Sequence, residues 1–212
     1  MSVQLIKELR ERTGAGMMDC KKALAECENN LEKAAEYLQK KSLASAAKKS
    51  ARVAAEGAVG SYIHMGGKIG VLVEVNCETD FVAKNDDFQA FVKDVSMHVA
   101  AMSPQYVRPD EMPEAELAKQ RGIFKAQVIE QGKPEHIADK IVDGKMKKWL
   151  SEICLLEQSF VKDPDKTVGQ LQSELVGKIG EKIEVRRFVR FALGEGLEKR
   201  QDDFAAEVAS MQ

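Results

Sequence analysis

Paired cysteines and clustered histidines are absent from this sequence. Its four cysteines are scattered along the chain, and none of them belongs to a Cys-x-x-Cys pair. The three histidines, His64, His98 and His136, are far apart and match no metal-binding motif. The sequence therefore predicts no disulfide framework and no bound metal. We expect the cysteines to be reduced thiols that pack as small hydrophobic side chains.

Motifs for nucleotide binding and for nucleophilic catalysis are also lacking. Two G-x-G pairs begin at Gly14 and at Gly194, but neither has the third glycine of a dinucleotide-binding turn. No Gly-x4-Gly-Lys-Ser/Thr loop occurs, and no serine lies in a Gly-x-Ser-x-Gly turn. The sequence thus predicts a protein that is not an enzyme and that binds no cofactor of its own.

No apolar run approaches the length of a membrane span, and neither sign of charge dominates. The 32 basic and 34 acidic side chains nearly cancel, so no overall field attracts the chain to nucleic acid or to anionic lipid. The first turns carry Lys7, Glu8 and Arg10, which is unlike a signal peptide. We therefore expect a cytoplasmic protein, or one mature after import, whose partner is another protein.

Helical spacing of apolar residues predicts a three-helix domain over residues 1–40. The first helix covers about 3–12 and ends at the glycines of the 13–16 stretch, and the second covers about 17–27. Asn30 is placed to cap the third helix. Residues 41–56 are rich in alanine and lysine, which predicts a basic, partly helical linker.

From residue 57 the apolar period changes to two, which predicts strands. Strands at about 58–64 and 69–77 form a hairpin through Gly66 and Gly67, and a third strand at 182–193 completes an antiparallel sheet. A helix over 86–102 is expected to pack on the sheet. The third strand is expected to turn five side chains to one face: Ile183, Val185, Val189, Phe191 and Leu193.

The sequence predicts two long helices that begin at Pro113 and at Pro134. We expect them to form a protruding antiparallel helical hairpin over residues 113–159. A further helix is expected at about 167–178, before the third strand. The fold class is therefore α+β, with a core formed by 57–112 and 160–194. Residues 195–212 predict a C-terminal helical module.

The segment Thr79-Asp80-Phe81-Val82, which we call the wedge segment, is unusual because a large aromatic stands beside a carboxylate where a strand ends. In one interpretation Asp80 caps a short helix and Phe81 enters the core. In the other, Phe81 projects from the surface as a wedge. The residues alone leave both open.

Two long motifs carry a resemblance to a known family: LIKELRERTGAGMMDCKKAL at 5–24 and VNCETDFVA at 75–83. Shorter matches are TVGQL at 167–171 and KIGE at 178–181. Together they closely resemble bacterial elongation factor Ts over essentially the whole chain. The resemblance implies that the three-helix domain is similar to a ubiquitin-associated domain, followed by a small sheet and a protruding helical hairpin.

The resemblance implies a function as well. The family's partner is elongation factor Tu, which holds GDP with a magnesium ion, and the exchange factor accelerates GDP release. Matching the motifs assigns Thr79, Asp80, Phe81 and Val82 to the contact that disturbs the magnesium and phosphate site. Three residues are assigned to docking on the partner: Arg10, Met17 and Met18. Three more are assigned as weaker matches for contacts to the partner: His64, Ile179 and Gly180.

Only one wedge segment and one pair of hairpin strands occur before the helical hairpin, whereas longer family members have two core modules in one chain. The sequence therefore resembles the short form, which implies a homodimer and a 2:2 complex with the partner. Adjacent methionines on one helix point in different directions, so at least one of Met17 and Met18 is expected to be exposed.

Two alternatives from other classes remain at this stage. The basic residues of 40–52 favour an RNA-binding adaptor, although no aromatic side chains are interleaved there for base stacking. A three-helix domain by itself also fits a protein-binding adaptor without exchange activity. The wedge segment argues against this second alternative.

Overall fold

A computed structural model describes residues 2–132 and 134–197. Nearly all of the predicted C-terminal module at 195–212 therefore lies outside the described residues. The helices are α1 Val3–Thr13, α2 Met17–Glu26, α3 Leu31–Lys49, α4 Asp80–Ala83, α5 Asp86–Met102, α6 Glu114–Glu130, α7 Glu135–Ile153 and α8 Val168–Ile179. The strands are β1 Glu56–His64, β2 Ile69–Cys77, β3 Ser159–Phe160, β4 Asp163–Thr167 and β5 Ile183–Ala192. The α+β class is confirmed.

The first three helices pack around a small core of their own. Helix α1 ends at Gly14, which adopts a left-handed conformation (φ 67°) that a residue with a side chain rarely tolerates. The Asn30 side chain accepts a hydrogen bond from the Lys33 N–H at 3.0 Å and caps α3, as predicted. Seven buried side chains form this core: Ile6, Leu9, Cys20, Ala23, Leu24, Ala34 and Leu38.

Helix α3 continues well past residue 40, to Lys49, so the first nine residues of the predicted linker are helical. This second half of α3 packs against α8. At the contact a Cβ on Gly177 would lie 2.5 Å from the Ser42 Oγ, so the two helices approach closely. Ala46 packs against the core of the sheet. One helix therefore belongs to both the three-helix domain and the main core.

The main sheet is three-stranded and antiparallel, as the sequence predicted, and its strand order is β1-β2-β5. Helix α5 covers its inner face with Phe88, Val92, Val95 and Val99, which meet Val71, Val73 and Val75 of β2 in one core. A Cβ on Gly60 of β1 would lie 2.3 Å from a methyl carbon of Val92, so glycine is needed for this close packing.

The predicted inward face of β5 is wrong beyond Val185. Glu74 of β2 pairs with Arg187 while Val75 pairs with Val185, so Arg186 is an extra residue, a β-bulge. The bulge reverses the alternation of side chains. Ile183 and Val185 are buried, whereas the three later apolar residues of the predicted face are exposed: Val189, Phe191 and Leu193.

Helices α6 and α7 form the predicted hairpin, with Val128, Ala138 and Val142 buried between them. Strands β3 and β4 form a small second sheet that the sequence analysis missed. In the part of the chain described here, no helix has both the length and the apolar composition needed to span a membrane.

Buried His98 of α5 joins this small sheet to the main core. The Val161 N–H donates a hydrogen bond to the His98 Nδ1 at 3.2 Å, so the ring carries its proton on Nε2 and donates it to the Gln158 Oε1 at 3.0 Å. Burial lowers the pKa of His98 below its usual value and keeps the ring neutral.

Candidate functional site

The wedge segment lies between β2 and α5 and forms the short helix α4. The Thr79 Oγ1 accepts a hydrogen bond from the Val82 N–H at 3.4 Å and caps this helix. Phe81 is 82% exposed, although a phenylalanine normally buries most of its surface. The interpretation that places Phe81 in the core and Asp80 at the cap is therefore wrong, and Phe81 projects into solvent.

Asp80, beside Phe81, is held as an ionised carboxylate. The Lys84 ammonium lies 2.8 Å from the Asp80 Oδ2, one helical turn away, and both side chains are exposed. The hydrogen bond from Lys84 holds the pKa of Asp80 below its ordinary value. The surface thus presents a negative charge next to an apolar ring, with the lysine as a removable counter-ion.

The wedge segment has a firm base on its C-terminal side. Ala83 is buried, and the Gln89 Nε2 of α5 donates a hydrogen bond to its carbonyl oxygen at 2.6 Å. Asn85 caps α5 by accepting a hydrogen bond from the Asp87 N–H at 2.8 Å. Val82 packs partly buried against the main core. Phe81 is consequently an exposed side chain on a backbone fixed at this end.

The loop from α8 to β5 fixes the other end of the wedge segment. Both oxygens of the Glu181 carboxylate accept hydrogen bonds from Thr79, one from its N–H at 3.1 Å and one from its hydroxyl at 2.8 Å. Ile179 and Gly180 directly precede Glu181, so the structure brings these two predicted residues near the wedge segment. Sequence analysis did not single out Glu181, although the KIGE match ends on it.

His64 is not brought to this site. Cys77 at one end of β2 leads into the wedge segment, whereas His64 pairs with Ile69 at the other end. Eight residue steps of about 3.3 Å put roughly 26 Å between the two ends. The exposed His64 ring instead stacks on the Tyr62 ring, and its Nδ1 is hydrogen-bonded to the Tyr62 hydroxyl at 3.0 Å.

The predicted docking residues lie on the three-helix domain. Met17 and Met18 are the first two residues of α2 and are 49% and 65% exposed, so both face solvent. Arg10 lies exposed in the last turn of α1, just before the loop that leads to α2. All three exposed side chains are of types that are enriched at protein interfaces.

Within residues 2–132 and 134–197, no group of three or more histidine, cysteine or acidic side chains is arranged to hold a metal ion. Two of the cysteines, Cys77 and Cys154, are buried, and burial raises the pKa of each thiol to about 11. Such thiols are poor metal ligands and poor nucleophiles at neutral pH.

Comparison with known proteins identifies the family of this chain. The family model described as elongation factor TS matches residues 17–195. Elongation factor Ts of Geobacter sulfurreducens is 63% identical over 205 residues, which cover 97% of this chain and 95% of the relative. Elongation factor Ts of Desulforamulus reducens is 60% identical over 210 residues, 99% of this chain and 97% of the relative. The chain therefore belongs to the elongation factor Ts family.

Proposed function

We propose that this chain is the guanine-nucleotide exchange factor of elongation factor Tu and acts during translation elongation in the cytoplasm. Family membership supports the partner and the activity. The observation that carries the mechanism is the 82% exposure of Phe81 on a backbone anchored at both ends, with an ionised carboxylate beside it. No covalent step is involved, because the chain only changes the affinity of its partner for GDP.

In this mechanism Phe81 enters an apolar gap between elements of the partner and pushes them apart. Asp80 exchanges Lys84 for hydrogen-bond donors or water near the partner's magnesium ion, which weakens the metal and phosphate contacts of GDP. An exposed aromatic ring gains free energy when it is buried in the partner, and that gain offsets the distortion there. Thr79 and Val82 hold the pair in position.

The wedge segment alone is too weak to account for fast exchange. Burying one phenylalanine contributes about 1.5 to 3 kcal/mol. Accelerating release by about ten-thousandfold requires roughly 5.5 kcal/mol of barrier lowering. We assign the remainder to contacts that hold the wedge against the partner, namely the docking residues Arg10, Met17 and Met18. Ile179 and Gly180 add contacts beside the wedge, and His64 makes a separate contact at the far end of the sheet.

Exchange follows from thermodynamic linkage. Binding of this chain lowers the partner's affinity for nucleotide by some factor. Binding of nucleotide lowers the partner's affinity for this chain by the same factor. Arriving GTP therefore dissociates the complex and regenerates the free exchange factor.

Two of the five basic residues of 40–52 form ion pairs within the chain, which argues against the RNA-binding alternative. Lys41 forms an ion pair with Asp19 at 2.7 Å, and Arg52 forms one with Glu78 at 3.2 Å. An RNA-binding surface needs such cations free to contact phosphates. The ion pairs of Lys41 and Arg52 thus support a structural role for this segment.

We further propose that two chains pair through the outer face of the sheet, giving a 2:2 complex with the partner. The β-bulge and the alternation of β1 and β2 leave six exposed apolar side chains on this face: Val59, Ile63, Leu72, Val189, Phe191 and Leu193. An apolar sheet face is stabilised by packing on another sheet, about 10 Å away. A second copy fits because the family's longer members carry two core modules, which here come from two chains.

Sedimentation of the native chain and of Phe191→Asp tests this pairing. We expect a native dimer and a monomeric variant, since a buried unpaired carboxylate opposes association. Val53→Asp places the same charge at an even more exposed apolar residue outside the sheet and should stay dimeric. A native monomer at micromolar concentration would refute the pairing.

The exchange activity itself is tested with elongation factor Tu loaded with fluorescent GDP and chased with unlabelled GTP. Native chain should accelerate release strongly, and the double variant Asp80→Ala/Phe81→Ala should accelerate it far less. Circular dichroism and thermal unfolding must first show that the double variant is folded. No acceleration by the native chain would refute the proposed function and favour an adaptor role.

A further inference from the structure

Two short segments that are far apart in sequence exchange carboxylate hydrogen bonds at the base of the wedge segment. Glu181 accepts from the N–H and the hydroxyl of Thr79 at 3.1 and 2.8 Å. In the opposite direction, the Glu78 Oε1 accepts from the Lys182 N–H at 2.6 Å. We call Glu78, Thr79, Glu181 and Lys182 the carboxylate clamp.

The clamp lies beyond the end of the β2–β5 ladder. The last backbone pair of that ladder joins Cys77 to Ile183, and both side chains are buried. Sheet pairing and core packing therefore already hold the two strands together without the clamp. What the clamp adds is a fixed position for Thr79, the residue that caps the wedge helix.

Charge makes the clamp stronger than a pair of neutral hydrogen bonds. The Lys182 N–H, followed by Arg52, holds the pKa of Glu78 below its ordinary value, so this carboxylate is ionised at neutral pH. Arg52 lies 3.2 Å from the Glu78 Oε1 and comes from the segment that follows α3. The base of the wedge is thus tied to the ends of α3 and α8.

Because Phe81 is exposed, no packing of its own ring defines where it points. Its direction depends on the short helix α4, and the orientation of that helix is set at both ends, by Ala83 at its C-terminal end and by Thr79 at its start. A side chain that must enter a partner within a fraction of an ångström needs such support from surrounding hydrogen bonds.

We propose that Glu181 is a positioning residue for nucleotide exchange, acting through Thr79 on Asp80 and Phe81. This inference rests on the proposed function. Without the Glu181 carboxylate the wedge occupies several orientations, and only some of them disturb the partner's nucleotide site. The docking residues lie on a different domain and are unaffected. The maximal exchange rate therefore falls, whereas the concentration of factor needed for half of that rate stays the same.

The test measures fluorescent GDP release from elongation factor Tu over a range of factor concentrations. Glu181→Ala should lower the maximal rate about tenfold, as expected for the loss of charge-assisted hydrogen bonds. Glu181→Gln keeps an uncharged acceptor for the N–H and an amide partner for the hydroxyl, so it should recover part of the rate. Glu174→Ala removes a carboxylate of α8 that pairs with Lys166 instead, and should match the native chain.

Each result has a definite meaning. The positioning role is overturned if Glu181→Ala has an unchanged maximal rate or changes only the half-maximal concentration. It is also overturned if Glu181→Gln is as slow as Glu181→Ala. If Glu181→Ala does not fold, Thr79→Val replaces it. This change removes one of the two hydrogen bonds that Glu181 accepts from Thr79, together with the cap of α4, and should slow the maximal rate in the same manner. Absence of exchange by the native chain refutes the proposed function itself, which is a separate result.

Discussion

Replacing either of two phenylalanines seven residues apart with alanine should have very different effects on the stability of the fold. Phe88 is fully buried in the main core, whereas Phe81 is 82% exposed. Phe88→Ala leaves a cavity and should lower the free energy of unfolding by about 3 to 5 kcal/mol. Phe81→Ala removes almost no buried surface, so it should change the free energy of unfolding by less than about 0.5 kcal/mol.

The effect of Phe81→Ala should appear only when the partner is present. If the ring becomes buried in elongation factor Tu while GDP leaves, its loss raises the barrier by about 1.5 to 3 kcal/mol. With 1.36 kcal/mol for each factor of ten, the accelerated release rate should fall by roughly 10- to 150-fold. Binding through the docking domain should change much less.

Urea unfolding followed by circular dichroism gives the stability of each variant, and stopped-flow release of fluorescent GDP gives the rate. Val53→Ala is the matched control, because Val53 is 83% exposed and lies outside the wedge segment. The reasoning is refuted if Phe81→Ala releases GDP as fast as the native chain. It is equally refuted if Phe81→Ala unfolds as easily as Phe88→Ala, since Phe81 would then contribute to the core.

Three further predictions concern stability and reactivity. Burial lowers the folded pKa of His98 below the unfolded value of 6.5. The contribution of neutral His98 to stability is therefore complete above pH 6.5 and is lost as pH falls toward the folded pKa. Urea unfolding at pH 7.5 and 5.5 should show this loss of stability, and His98→Gln should make the loss smaller. Gly122 and Gly144 lie in helix interiors with open space around them. Replacing either with alanine should raise the free energy of unfolding by about 0.8 to 1 kcal/mol. An unchanged thermal midpoint in both variants would contradict this. Cys77 and Cys154, with pKa values of about 11, should resist iodoacetamide at pH 8 until urea unfolds the chain, as peptide mass spectrometry would reveal.

Periodicity predicted most of the fold because long amphipathic segments leave few alternatives. Helix α5 begins and ends where the apolar pattern places it, at 86 and 102, and the hairpin turn at Gly66 and Gly67 sets the pairing of β1 with β2. The inward face of β5 was mispredicted because a bulge at Arg186 depends on pairing with β2, and no local pattern records that pairing. The length of α3 was underestimated because packing on α8 extends a helix whose own sequence suits a linker.

The candidate site was only partly accessible from the residues. Local sequence left the burial of Phe81 open, and the resemblance favoured exposure, which the structure has. The exposure of at least one of Met17 and Met18 followed from helix geometry, and both are exposed. Glu181 was missed because its contact with Thr79 spans 102 residues, and such a contact arises only when the sheet is assembled. The roles of these residues in exchange remain predictions.

The continuous helix α3 changes how the docking domain and the wedge are connected. A flexible linker would let Met17 and Met18 bind the partner while the wedge explored many positions, and ordering it would oppose exchange. Instead, α3 packs against α8 at Ser42, and α8 leads directly to the carboxylate that holds Thr79. The proposed docking residues and the wedge therefore lie on one series of packed elements, so under the proposed function we expect binding at the first to bring the second to its target already oriented.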